Sequence, residues 1–316
     1  MAGKVGGGVC LRDLYPWVHL MPELPEVETV RRGLSSRALG EVVSGWTVFH
    51  PGILEDCRAE DLEGIGSSRL ERVDRLGKYL LLRLTAAAGR RTIVVHLGMS
   101  GQFTFHAPGE DFVDGFVRLP SGYLKSRGPH RRDAHTHLVA DCVSGGQFLY
   151  RDPRRFGRIL LFDGWGDSGH PRLERLGPDA VSVDASGLSR LLAARGGARS
   201  IKAVLLDQTV VAGVGNIYAD EACFEAGIRP DAVSSSLSKV RRDRLASAIL
   251  AVLDRGIRNA GTTFRDFVGA DGVAGTNAED LRVYARAGRH CLRCGSTLLG
   301  SLVATRSTVH CPRCQR

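Results

Sequence analysis

The chain has 316 residues, 43% of them hydrophobic, with 43 Lys and Arg against 34 Asp and Glu and a net charge of +9. That is enough apolar material for the cores of two ordinary domains and implies a globular, soluble protein. No apolar run approaches the roughly 20 residues of a membrane helix, and residues 1–20 lack the cationic start and apolar stretch of a secretory signal, so a cytoplasmic, reducing setting is expected.

Residues 1–20, with Gly6, Gly7 and Gly8 and mixed charge, show no sustained period and precede a second methionine, Met21. They read as an appendage or a misassigned start. A first helix is predicted over Pro25–Leu34, because Pro and acids open it and cations close it, as the helix dipole favours. From Val42 to Phe162 short apolar segments alternate with turn signals: Val42–Val48, Tyr79–Leu84, Thr92–His96, Gly101–Phe105, His137–Asp141, Gln147–Arg151 and Gly157–Phe162. That spacing predicts an antiparallel β-sandwich or barrel. Residues 106–134, rich in Pro, Gly, Arg and His, read as a loop. Gly, Pro and Asp then mark a linker between Asp163 and Asp184.

Beyond the linker the period becomes helical, over Leu188–Arg195, Ile201–Leu206, Asn216–Ala226, Ser238–Asn259 and Thr263–Val268. The chain is therefore expected to be α+β, with an extension at 1–20, a β-sandwich domain with a flanking helix at 21–165, a linker at 166–184, a helical domain at 185–280 and a terminal finger at 281–316.

The finger is the sharpest signal. Cys291 and Cys294 form one Cys-x-x-Cys pair, Cys311 and Cys314 the other, and the span between them suits a β-hairpin. Two such pairs present four thiolates to one tetrahedral Zn2+. A disulfide reading would suit an exported protein, which the first residues do not support. Cys10, Cys57, Cys142 and Cys223 are scattered singly, as buried reduced thiols are. Around the zinc ligands stand Arg289, His290, Arg293, Arg306, His310, Arg313 and Arg316. A structural metal plus a row of cations, in a chain whose basic excess is largely Arg, points to a polyanion as partner.

Five ordered motifs carry a family resemblance. They are Met21-Pro22-Glu23-Leu24-Pro25-Glu26-Val27-Glu28, His96-Leu97-Gly98-Met99-Ser100-Gly101, Asp152-Pro153-Arg154-Arg155-Phe156-Gly157, Gly213-Val214-Gly215-Asn216-Ile217-Tyr218, and the zinc segment ending Cys311-Pro312-Arg313-Cys314. Over residues 21–316 the chain resembles the formamidopyrimidine-DNA glycosylases, bifunctional repair enzymes that excise oxidised purines and cleave the strand by β- and δ-elimination. The resemblance implies a monomer acting on damaged double-stranded DNA, with one structural zinc and a helix-two-turn-helix unit. It implies Pro22 as nucleophile through a free secondary amine, Glu23 as general acid and base, and Lys78 and Arg306 as groups that contact phosphate and assist elimination. Met99, Arg154 and Phe156 match residues that fill the gap left by an extruded base. His135, Lys202 and Asn216 match DNA contacts, and Arg199 stands one position after the family's basic residue, here Ala198. Gly213 and Gly215 are expected to let backbone approach the DNA, with the helix from Asn216 aiming its N–H groups at an anion. His96 and His137 read as structural histidines.

Pro followed by Glu also starts ordinary helices. A proline nitrogen inside a peptide bond has no available lone pair, so the catalytic reading expects translation from Met21 and removal of that methionine. Thr276-Asn277, where the family can carry an aromatic pair, leaves lesion preference open. The alternatives are an endonuclease VIII-like enzyme for oxidised pyrimidines and a non-catalytic damage-binding protein.

Overall fold

The computed structural model describes residues 21–110, 116–118, 124–126, 132–166, 170–264 and 267–316. The appendage expected at 1–20 lies outside the described residues. The first element is a helix, α1 (Leu24–Arg37), longer at both ends than Pro25–Leu34. Its carboxylate at Glu26 accepts the Glu23 N–H at 2.9 Å, which satisfies a donor that would otherwise end the helix unpaired.

Ten strands follow: β1 (Val42–Val48), β2 (Ser68–Leu76), β3 (Tyr79–Ala86), β4 (Gly89–His96), β5 (Gln102–His106), β6 (Phe116–Arg118), β7 (Leu124–Ser126), β8 (Thr136–Cys142), β9 (Gln147–Arg151) and β10 (Arg158–Asp163). Eight of them form one antiparallel sheet in the order β10-β4-β3-β2-β1-β8-β9-β5. The sheet coils on itself so that Ile93, Ile159, Phe105 and Phe148, from both ends, share one core with Val27, Val30 and Leu34 of α1. This is the expected β-sandwich with a flanking helix. The strand at Ser68–Leu76 escaped the sequence pattern because a bulge between Leu70 and Arg72 breaks its alternation. Inside the segment read as a loop, β6 pairs with β7; the rest of that expectation falls largely outside the described residues.

The segment after β10 is tied down. Leu173 packs under Leu81, Val94 and Leu160, and Asp179 accepts from Arg75 Nη1 at 2.5 Å and the Gly77 N–H at 2.7 Å. Small helices α2 (Ala59–Glu63) and α3 (Pro171–Glu174) precede the helical half: α4 (Ala185–Arg195), α5 (Ile201–Leu206), α6 (Asn216–Glu225) and α7 (Lys239–Arg258). Asp184 and Ser238 cap α4 and α7 through side-chain oxygens. The helices close a second core that includes Leu24 from α1. Thr263–Val268, read as helical, is not: its described residues are irregular, and Thr263 Oγ1 accepts the Gly275 N–H and donates to the Phe267 carbonyl instead of serving a helical turn. A hairpin, β11 (Leu299–Val303) and β12 (Arg306–His310), ends the chain.

Candidate active site and nucleic-acid interface

Three turns converge where the two cores meet. Gly77, at φ +57, opens the two-residue turn between β2 and β3 that presents Lys78, and a Cβ on Gly77 would stand 2.9 Å from Ala212 Cβ. Gly213, at φ +109, accepts the Leu24 N–H at 3.1 Å, and a Cβ there would stand 2.4 Å from Leu24 Cδ1. A Cβ on Gly215 would meet Glu23 Cδ at 2.4 Å. Gly213 and Gly215, expected to let backbone approach the DNA, make room for the start of α1. The anion at the N-terminus of α6 is Glu23 itself, whose Oε1 accepts the Ile217 N–H at 2.8 Å and whose Oε2 accepts the Tyr218 N–H at 3.4 Å.

Burial pushes the Glu23 carboxyl up to about 7, with Lys78 opposing and Glu26 adding to the rise. Lys78 is held below its ordinary value by the same burial and, further, by Arg306, while Glu23 and Glu26 oppose. Pro22 is buried directly before Glu23. The structure therefore brings Pro22, Glu23, Lys78 and Arg306 to one place. Arg306 follows a two-residue hairpin turn in which Ala304 and Thr305 both have positive φ, a conformation usually left to Gly and Asn.

Beneath Glu23 lies a polar network the sequence did not announce. Glu26 Oε1 accepts from the Tyr218 hydroxyl at 2.8 Å and the Thr262 N–H at 2.6 Å. Asn277 Nδ2 donates to Thr262 Oγ1 at 2.8 Å, and Asn277 is 2% exposed, so it faces this network and not a substrate. Burial raises the Glu26 carboxyl as well.

Met99 and the Asp152–Gly157 loop sit back to back. A Cβ on Gly98 would lie 2.4 Å from the Gly157 nitrogen, and Ser100 Oγ donates to Asp152 Oδ1 at 2.5 Å while accepting the Arg154 N–H. Arg154 and Phe156 project together, the guanidinium 4.9 Å from the ring centroid, and Phe156 is half exposed. His135 is exposed. His137 is buried and its Nε2 pairs with the Asp152 carbonyl, and His96 packs against Tyr79 with its ionisation pushed down to about 4, chiefly by burial.

One expected phosphate contact is corrected. Lys202 is wholly buried, and its Nζ donates to Asp220, the Ser307 carbonyl and Thr308 Oγ1, which uses all three donors. Arg199 is tied to Asp207 at 2.7 Å and to the Arg195 carbonyl. Asn216 Nδ2 donates to the Ser307 carbonyl, bracing the same hairpin.

The sulfurs of Cys291, Cys294, Cys311 and Cys314 lie within 4.8 Å of one another. The pairs Cys291–Cys314 and Cys294–Cys311 stand at 3.9 and 3.4 Å, bracketing the roughly 3.8 Å edge that Zn–S bonds of about 2.3 Å give a tetrahedron. The donor set fits a structural zinc.

A family model described as the formamidopyrimidine-DNA glycosylase N-terminal domain matches residues 21–159, and one described as the H2TH domain of that enzyme matches residues 176–268. The formamidopyrimidine-DNA glycosylase of Desulfitobacterium hafniense is 40% identical over 301 residues, covering 93% of this chain and all of that one. The Lactococcus lactis Fpg superposes in complex with abasic-site DNA (TM-score 0.75) and with DNA containing N7-benzyl-Fapy-dG (TM-score 0.76). Each is 28% identical and covers 93% of this chain, and 99% and 100% of that one. On these matches, and on the convergence of their motifs at one site, the chain belongs to the formamidopyrimidine-DNA glycosylase family.

Proposed function

We infer that this protein is a base-excision-repair glycosylase and abasic-site lyase that removes oxidised and ring-opened purines from double-stranded DNA. One observation carries the reading: the carboxyl of Glu23 is buried beside Pro22 with its ionisation raised to about 7, where it can both give and take a proton at neutral pH. In the chain whose nitrogen is free, the Pro22 lone pair bonds to C1′ of the damaged nucleotide as the bond to the base breaks. Glu23 supplies a proton to the sugar ring oxygen as the C1′–O4′ bond opens. The resulting iminium ion draws electrons when the C2′ proton leaves and the 3′-phosphate departs. Lys78 and Arg306 hold the flanking phosphates. Met99, Arg154 and Phe156 fill the vacated stack, with His135 and Asn216 at its margins. Every one of these groups comes from a single chain, which suits a monomer. Zinc, held by the four cysteines, supplies no chemistry to the reaction and keeps the hairpin shaped.

Borohydride reduction of an 8-oxoguanine duplex mixed with chains beginning at Pro22 and at Met1 tests this. A covalent adduct is expected from the first and none from an unprocessed second. No adduct from a folded, zinc-loaded chain beginning at Pro22 would overturn the reading, and faster excision of thymine glycol than of 8-oxoguanine would move the substrate to pyrimidines.

A further inference from the structure

Arg155 points the other way from its neighbours. Its φ of +56 turns the backbone so that Arg154 and Phe156 meet on one side of the loop, while Arg155 Nη1 lies 3.4 Å from His50 Nε2 on the other. There it borders a cavity of about 340 Å3 that is also lined by Phe49, His50, Arg132, Asp133 and His137. The guanidinium of Arg132 stacks 3.6 Å from the centroid of the Phe49 ring, which fixes its position and covers apolar surface that would otherwise face water. The rings of His50 and His137 are 5.2 Å apart.

The one carboxylate in the cavity is already spoken for. Asp133 accepts from Arg151 through both Nε and Nη2 and takes the His135 N–H on its other oxygen. Neither Arg132 nor Arg155 has an acidic partner among the described residues. Two exposed guanidiniums thus border one small cavity whose carboxylate is committed to Arg151, which leaves their donors to a ligand that carries negative charge. The floor of the cavity is joined to the wedge loop, since His137 Nε2 bonds the Asp152 carbonyl.

We propose that Arg132, Arg155 and His50 form a second phosphate cradle that takes a backbone phosphodiester of the duplex beside the Arg154–Phe156 wedge. It rests on the DNA-repair reading for the placement of the duplex. Its task is to hold the backbone where the wedge enters, so that unstacking is opposed by a contact on the far side of the same loop.

The test is equilibrium binding of a tetrahydrofuran-containing duplex and of the same duplex undamaged, across a salt series, for wild type and Arg132→Ala/Arg155→Ala. Losing one phosphate contact lowers the slope of log affinity against log salt by about 1 on both duplexes. The Arg132→Lys/Arg155→Lys chain, which keeps the charge, retains most of the slope, and zinc content and thermal midpoint report that all chains are folded. A scan of single methylphosphonates along both strands locates the contact: one position weakens wild type and has no further effect on the double-alanine chain. Unchanged slope, or a scan that affects both chains alike at every position, overturns the proposal. Binding of inorganic phosphate by the DNA-free protein with a flat scan also overturns it, since the ligand is then a free anion. Failure of wild type to prefer the abasic duplex would instead sink the repair reading, while the slope on undamaged duplex still decides the cradle.

Discussion

Lys202 Nζ lies 2.6 Å from Asp220 Oδ1, and neither side chain reaches solvent. The pair joins α5 to α6, and through the Thr308 hydroxyl and the Val309 N–H it also fixes β12 of the zinc hairpin. Lys202 therefore acts on the DNA face by holding the hairpin that carries Arg306. Removing one buried charge strands the other, so Lys202→Met is expected to cost about 3–5 kcal/mol in denaturant unfolding. Lys202→Met/Asp220→Leu, which removes both, should recover most of that loss. A double variant as unstable as the sum of the two single ones would show that the pair is not coupled.

Glu23 ties stability to activity. Its ordinary value is 4.5 and its folded value about 7, so between those limits the folded protein keeps a proton that the unfolded chain has released. Stability then falls as pH rises through that window and is flat above it. The difference corresponds to about 3 kcal/mol of strain on the folded state at pH 8, absent below pH 4.5. Glu23→Gln is expected to melt higher than wild type at pH 8, with the gap closing towards pH 4.5. Its base excision should be at least about 100-fold slower, and the wild-type rate should bend near pH 7. A melting difference that is the same at both ends of the range would remove the assigned ionisation.

Much of this site is readable from local pattern, and the unread part is long-range. The pairs of cysteines mark ligands because their chemistry is fixed within a few residues, whereas Gly213 and Gly215 make room for Leu24 and Glu23, nearly 200 positions away in the chain. The network under Glu23 joins residues 26, 218, 262 and 277, and no spacing in the chain brings those together. Lys202 reads as an exposed cation because side-chain type alone does not reveal that Asp220 folds beside it. The apolar spacing at Thr263–Val268 is real, but it serves burial of Phe267 and Val268 in an irregular segment.

Asn277 stands where relatives can carry an aromatic residue, and its amide links Thr262 Oγ1 to Asn259 Nδ2 at the C-terminal end of α7. Asn277→Ala removes both hydrogen bonds while Thr262 Oγ1 keeps the Tyr218 hydroxyl and Asn259 Nδ2 keeps Asp280, so it should cost about 1 kcal/mol. Because this network sets the position of Glu26, which holds the Glu23 N–H, base excision should slow more than DNA binding weakens. Single-turnover excision and equilibrium affinity for an abasic duplex, measured together, separate the two. Equal losses in both would assign Asn277 to folding alone.

The four-sulfur cluster has no place for a water, since all four tetrahedral positions are thiolates. Zinc removal should therefore act through shape. The hairpin core of Phe224, Val283, Leu298 and Val309 surrounds the ligands and contains no residue of the β-sandwich core. Chelation is expected to leave the circular dichroism of the sheet and helices largely intact while DNA affinity falls, because Arg306 loses its fixed position. Cys311→Ser should do the same without chelator. Cobalt, which also accepts four thiolates, should restore binding and excision in equal proportion. A cobalt protein that binds DNA as zinc protein does but excises at a different rate would place the metal in the chemistry, and unchanged affinity after full zinc removal would end its role as a clamp.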